Sequence, residues 1–105
     1  MKEITVQELA EMRRNHTDFQ LIDVREEHEF DMANLGGELI PLGTIVEVSS
    51  RISRDKPVVI HCRSGARSAA AIRELENRFG FTNLSNLKGG ILAWSKEIDP
   101  SLQVF

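Results

Sequence analysis

The run Pro57-Val58-Val59-Ile60-His61-Cys62 constrains this chain more than any other stretch. Its core is continuously apolar rather than alternating, which suits a strand covered on both faces in a parallel sheet. A helical pattern follows almost at once, from about Arg67 to Phe79, with Ile72, Leu75 and Phe79 at i, i+3 and i+7. Gly80 is placed to stop that helix. The segment between, Cys62-Arg63-Ser64-Gly65-Ala66-Arg67-Ser68, then falls at the carboxyl end of a buried strand. Open α/β sheets place their ligands there.

The remaining chain reads as strands and helices in alternation. Thr5-Val6-Gln7-Glu8 is a capping-box pattern that opens a helix to about Asn15, with Val6, Leu9 and Ala10 on one face. Phe19 to Val24 reads as a strand, and Arg25 to Phe30 as one or two charged helical turns. Gly36 and Gly37 mark a loop, Leu39-Ile40 a brief pairing segment, and Pro41 its end. Ile45 to Ile52 is expected to form another helix, and Ser53 to Lys56 a polar turn. Asn83 to Leu87 suggests a last strand, Gly89-Gly90 a turn, and Ile91 to Ile98 a final helix before Pro100. This alternation predicts a compact three-layer α/β domain spanning residues 1–105, with only the tail Asp99 to Phe105 of unassigned order.

A chain of 105 residues fits one domain, a sheet with helices around it, and is too short for a second. Its formal charge of -3 argues against a nucleic-acid partner, and its apolar runs are far below the roughly 20 residues that cross a bilayer. One cysteine excludes an internal disulfide and a multi-thiolate zinc site. Residues Met1 to Glu11 hold no apolar leader segment, so a reducing cytoplasmic setting is expected. The Asn83-Leu84-Ser85 triplet matters only in a secreted chain and is read as chance.

The loop after the buried strand carries the chemistry. A curled loop that turns its N–H groups inward, followed by the free N–H groups of a helix, forms a cradle for an anion. Gly65 permits the tight turn, and Arg63 and Arg67 are candidate charged donors at the rim. A thiol in such a place ionises readily, with pKa values of about 3.5 to 7.5 against roughly 8.5 unperturbed. Cys62 is therefore the candidate nucleophile rather than a small hydrophobe ending a strand.

With that loop, three further motifs resemble those of rhodanese-homology domains. They are Leu21-Ile22-Asp23-Val24-Arg25-Glu26, Ile40-Pro41-Leu42, and Leu87-Lys88-Gly89-Gly90-Ile91-Leu92-Ala93-Trp94. The resemblance covers nearly the whole chain and implies a five-stranded parallel sheet flanked by helices. It also implies that Cys62 takes a sulfane sulfur from thiosulfate or a persulfide donor and passes it to a thiophilic acceptor. Loop residues Arg63, Ser64, Gly65, Ala66, Arg67 and Ser68 would bind the donor, with no metal or organic cofactor. Where the family often has Gly-His-Ile-Pro-Gly-Ala, this chain has Ala33-Asn34-Leu35-Gly36-Gly37-Glu38. That variant and the ending Leu92 to Leu102 resemble rhodanese domains fused to ubiquitin-activating-like adenylyltransferases. A sulfur-carrier protein or an adenylyltransferase is thus an implied partner, and a monomer suffices to build the site.

Other residues are weighed against plainer roles. Asp23 and Arg25 read as structural support, because an acid beside an anion site opposes substrate unless it is paired. His61 precedes the nucleophile in the strand, so its side chain points to the opposite face and it is not the base. Ser64 either donates to the sulfur or shapes the turn, Ser68 either touches substrate or steadies the helix start, and Trp94 is core or lid. His16, His28 and His61 lack metal-ligand spacing. Two rivals remain. A phosphatase or arsenate reductase of related fold resembles a Cys-x5-Arg pattern, one residue longer than the span from Cys62 to Arg67. A non-catalytic interaction module usually lacks the cysteine.

Overall fold

The computed structural model describes residues 1–105. Five strands form one wholly parallel sheet: β1 (Glu3–Ile4), β2 (Gln20–Asp23), β3 (Glu38–Leu39), β4 (Val58–His61) and β5 (Leu84–Leu87), in the order β1-β5-β4-β2-β3. The helices are α1 (Val6–Arg14), α2 (Glu27–Met32), α3 (Ala66–Phe79) and α4 (Gly90–Glu97). The apolar run of β4 lies at the centre, in register with β2 from Gln20↔Val58 to Asp23↔His61 and with β5 from Val58↔Leu84 to Ile60↔Asn86. Every residue of β4 is buried, as its unbroken apolar pattern requires.

Side chains alternate across this sheet and feed two cores. One gathers Ile22, Val58, Ile60, Cys62, Ile72, Leu75, Phe81 and Leu84 beneath α3 and the segment 42–52. The other gathers Val6, Leu9, Leu21, Val59, Leu87, Ile91 and Trp94 beneath α1 and α4. Trp94 is thus core, with the Arg13 guanidinium 5.1 Å from its ring centroid, and does not cover the cysteine loop as a lid. Thr5 caps α1 as its sequence pattern predicts: its hydroxyl accepts from Glu8 N–H while the Glu8 carboxylate accepts from Thr5 N–H.

Two expectations need correction, and one strand is an addition. The segment Ile45 to Ile52 is not a helix but a chain of turns ending in a 3-10 turn at Ser49–Arg51. Its bonds are mostly of i to i−3 type, as in Ser49 N–H to Val46 O and Arg51 N–H to Val48 O. Four β-branched residues (Ile45, Val46, Val48, Ile52) lose rotamers in a helix, and burying Ile45 and Ile52 against the sheet outweighs regularity. Phe79 is 37% exposed, and Phe81, beyond the Gly80 turn, fills the core instead. The two-residue β1 was not read from sequence; it is defined only by its pairing, Glu3↔Asn86 and Ile4↔Leu87.

The tail is ordered by its own chemistry. Ser101 N–H and hydroxyl both donate to the Asp99 carboxylate, and Leu102 and Val104 pack against the second core. No helix is long and apolar enough to cross a membrane.

Candidate active site

The chain leaving β2 runs away from β4 to form β3, and the chain leaving β4 runs away from β2 to form β5. This makes the carboxyl ends of β2 and β4 a topological switch point, where a crevice opens. Cys62 follows β4 there, and Arg25 follows β2.

Cys62 is 1% exposed and its sulfur is ringed by donors. Gly65 N–H donates to Sγ at 3.1 Å and Ser68 N–H at 3.4 Å, and Ser68 Oγ lies 3.4 Å away. Gly65 caps α3 with φ +117, a left-handed conformation that side chains rarely adopt, and this turns its amide toward the sulfur. Ser68 is the third residue of α3, so its amide is one of those left without a helical partner. Burial pushes the Cys62 thiol up, but the Ser68 hydroxyl and the amides of Ser68, Gly65 and Ser64 outweigh it. The thiol ends below its ordinary value. Ser64 itself is exposed, as are Arg63 and Ala66.

The amides face inward because the carbonyls are held from outside. Ile91 N–H donates to Cys62 O at 3.0 Å and Leu92 N–H to Arg63 O at 3.1 Å, so the first free amides of α4 clamp the loop. A Cβ at Gly90 would sit 2.5 Å from both Cys62 O and Arg63 O, so the clamp requires glycine. On the other side, Ser68 Oγ donates to Asn86 Oδ1 at 2.6 Å, and Asn86 Nδ2 donates to Gly65 O at 3.2 Å.

The arginines around this loop differ in what they face. Arg25 is buried with Asp23, its guanidinium donating to both carboxylate oxygens at 2.8 to 3.1 Å and to Ala33 O at 2.7 Å. Arg67, on the first turn of α3, makes a bidentate pair with Glu29 of α2 at 2.7 and 2.9 Å. That pairing holds the Glu29 carboxyl at about 2 and raises Arg67. Arg63 reaches solvent, its Nε donating to Phe105 O at 3.2 Å. His61 sits beside the Asp23 carboxylate at 3.7 Å, wholly buried, with Nε2 lacking a hydrogen-bond partner. It faces Asp23 and not the cysteine sulfur, as strand alternation predicts.

Glu29 and Asn86 are site residues that the sequence reading does not single out, and Gly90 is read there only as part of a turn and a motif. Asn86 carried a usable signal, a polar residue inside an otherwise buried strand. Glu29 lies in the acidic run Glu26-Glu27-His28-Glu29, which reads only as one or two charged helical turns.

The fold is thus a parallel α/β domain with a buried, donor-ringed cysteine between its central strand and the following helix. The chain belongs to the rhodanese-like domain family, whose model matches residues 5–97. It is 35% identical to a protein named sulfurtransferase from Allochromatium vinosum, over 91% of this chain and 90% of that one. It is 33% identical to the probable adenylyltransferase/sulfurtransferase MoeZ of Mycobacterium tuberculosis, over 97% of this chain but 26% of MoeZ. This chain therefore spans about a quarter of that larger relative. A rhodanese-like domain protein from Staphylococcus aureus superposes with a TM-score of 0.83 at 31% identity, covering 100% of this chain and 99% of that one.

Proposed function

We propose that this domain is a sulfurtransferase that carries sulfur as a persulfide on Cys62. The observation that carries the reading is the set of N–H groups from Gly65 and Ser68 converging on Cys62 Sγ. Preorganised donors of this kind stabilise both the attacking thiolate and the anionic persulfide that replaces it. The sulfurtransferase named among its relatives, matched over nine-tenths of its length, supports the same reaction class.

In the first step the Cys62 thiolate attacks the outer sulfur of thiosulfate or of a persulfide. The new Cys62 S–S bond forms as the donor's S–S bond breaks, and sulfite or a thiolate leaves with the electron pair. In the second step a nucleophilic acceptor attacks the outer sulfur, and Cys62 departs as a thiolate into the cradle that received it. Cys62 supplies the covalent chemistry; the amides of Ser64, Gly65 and Ser68 and the Ser68 hydroxyl stabilise its charge. The Asp23–Arg25 pair supports the β2 end of the crevice. A sulfur-carrier protein or an adenylyltransferase-linked acceptor is supported by the MoeZ relationship.

Intact-protein mass spectrometry after brief exposure to thiosulfate, or to an alkyl persulfide, tests the proposal. The expected result is a gain of one sulfur atom, reversed by cyanide and absent in Cys62→Ser. Absence of that gain with both donors, while Cys62 is reduced and alkylates normally, overturns it.

A further inference from the structure

Positive charge is scarce at the mouth of this site. Arg25 is spent on Asp23 within the fold, both side chains being at most 3% exposed. Arg67, the cation on the first turn of α3, is spent on Glu29, which grips it with two bonds. Glu29 reaches α3 because α2 is short and capped by Glu29 itself, whose carboxylate also accepts from Glu26 N–H. Of these three, Arg63 alone has no side-chain carboxylate partner, and its Nε donates to Phe105 O. With Cys62 ionised, the formal charges of Asp23, Arg25, Glu29, Cys62, Arg63 and Arg67 sum to zero.

Thiosulfate brings two negative charges to a thiolate that already carries one. An uncharged alkyl persulfide brings none in its protonated form, and it brings an organic substituent. Glu29 lines a cavity of about 200 Å³ whose other walls are Met32, Ala33, Val104 and Phe105 on the apolar side and Arg25, His28 and Gln103 on the polar side. Half of its lining is apolar, which gives an organic substituent contacts that thiosulfate does not use.

We propose that Glu29 is a specificity-determining residue: by neutralising Arg67 it makes the Cys62 site favour alkyl persulfides over thiosulfate as sulfur donor. The inference rests on the sulfurtransferase reading. In the favoured step the Cys62 thiolate attacks the outer sulfur of R–S–SH. A Cys62–S–SH bond forms, the donor S–S bond breaks, and R–S⁻ leaves and takes a proton from water.

The test measures rates of persulfide formation on Cys62 with thiosulfate and with 2-hydroxyethyl persulfide released in situ. Freeing the Arg67 cation on the first turn of the helix that follows Cys62 should raise the thiosulfate-to-persulfide ratio about 10-fold in Glu29→Gln. Glutamine keeps an oxygen to accept from Glu26 N–H, so α2 retains its cap. Arg67→Gln, which leaves Glu29 unpaired, should lower the ratio, and the double variant should return it toward that of the unsubstituted chain. That return separates charge from mere loss of a structural pair, because both bonds are missing in the double variant. Raised salt should shrink the differences. Loading by both donors with a ratio that Glu29→Gln does not move overturns the masking alone. Failure of both donors to load the unsubstituted chain overturns the sulfurtransferase reading and this inference with it.

Discussion

Around Cys62 a single hydroxyl proton has three acceptors within reach. Ser68 Oγ lies 2.6 Å from Asn86 Oδ1, 3.1 Å from Gly65 O and 3.4 Å from Cys62 Sγ. When the sulfur is a thiol, its S–H donates to Ser68, and Ser68 donates to Asn86. When the sulfur is a thiolate or persulfide, the hydroxyl must turn toward it and give up Asn86. Hydrogen bonds to a charged group are worth about 1.5–3 kcal/mol, so the exchange favours the anion. Ser68→Ala removes that donor and should raise the thiol pKa, because the hydroxyl is the largest of the groups that lower it. Thiolate absorbance near 240 nm across a pH series would report it, and sulfur loading at pH 7 should fall in step. An unchanged titration would assign the lowered pKa to the amides alone.

Between elements, the decisive contact is the one that α4 makes with the cysteine loop. Gly90 has φ +60 and no room for a Cβ beside Cys62 O and Arg63 O. Gly90→Ala should therefore push the loop off the Ile91 and Leu92 amides and cost about 2–4 kcal/mol, since left-handed strain alone is about 1–2 kcal/mol. Gly36→Ala is the fitting control: φ is +80, but nothing lies within 4 Å of the added carbon. It should lower the melting temperature slightly and leave the Cys62 alkylation rate unaltered, whereas Gly90→Ala should depress both. The Gly89-Gly90 pair was legible as a turn, but its clash with the loop was not, because the two segments meet only in the fold. The same distinction runs through the whole reading. β4, α3 and the Cys62 loop were legible because local pattern defines them. The pairing of Arg67 with Glu29, 38 residues apart, was not. The expected helix at Ile45 to Ile52 failed because its apolar spacing was read without weighing how β-branched residues pack on a sheet.

For the molecule as a whole, two groups set its response to acid, one after the other. Burial pushes His61 below its ordinary value of 6.5, and attraction to Asp23 offsets this only in part. The unfolded chain therefore takes up a proton near pH 6.5 that the folded chain refuses, and stability falls as acidification passes below that point. Arg67 holds Glu29 down to about 2 against an ordinary 4.5, so this pair stabilises fully above pH 4.5 and is lost as pH falls toward 2. Arg67 is 35% exposed, so solvent screening leaves the pair worth about 1–2 kcal/mol rather than its full nominal value. Urea midpoints should hence decline in two stages, the first between pH 7 and 5 and the second below pH 4.5. His61→Gln should flatten the first stage whatever it does to stability at pH 7, and Glu29→Gln should flatten the second. If both substitutions lower the curve without changing its slope, the acid response lies elsewhere in the charge distribution.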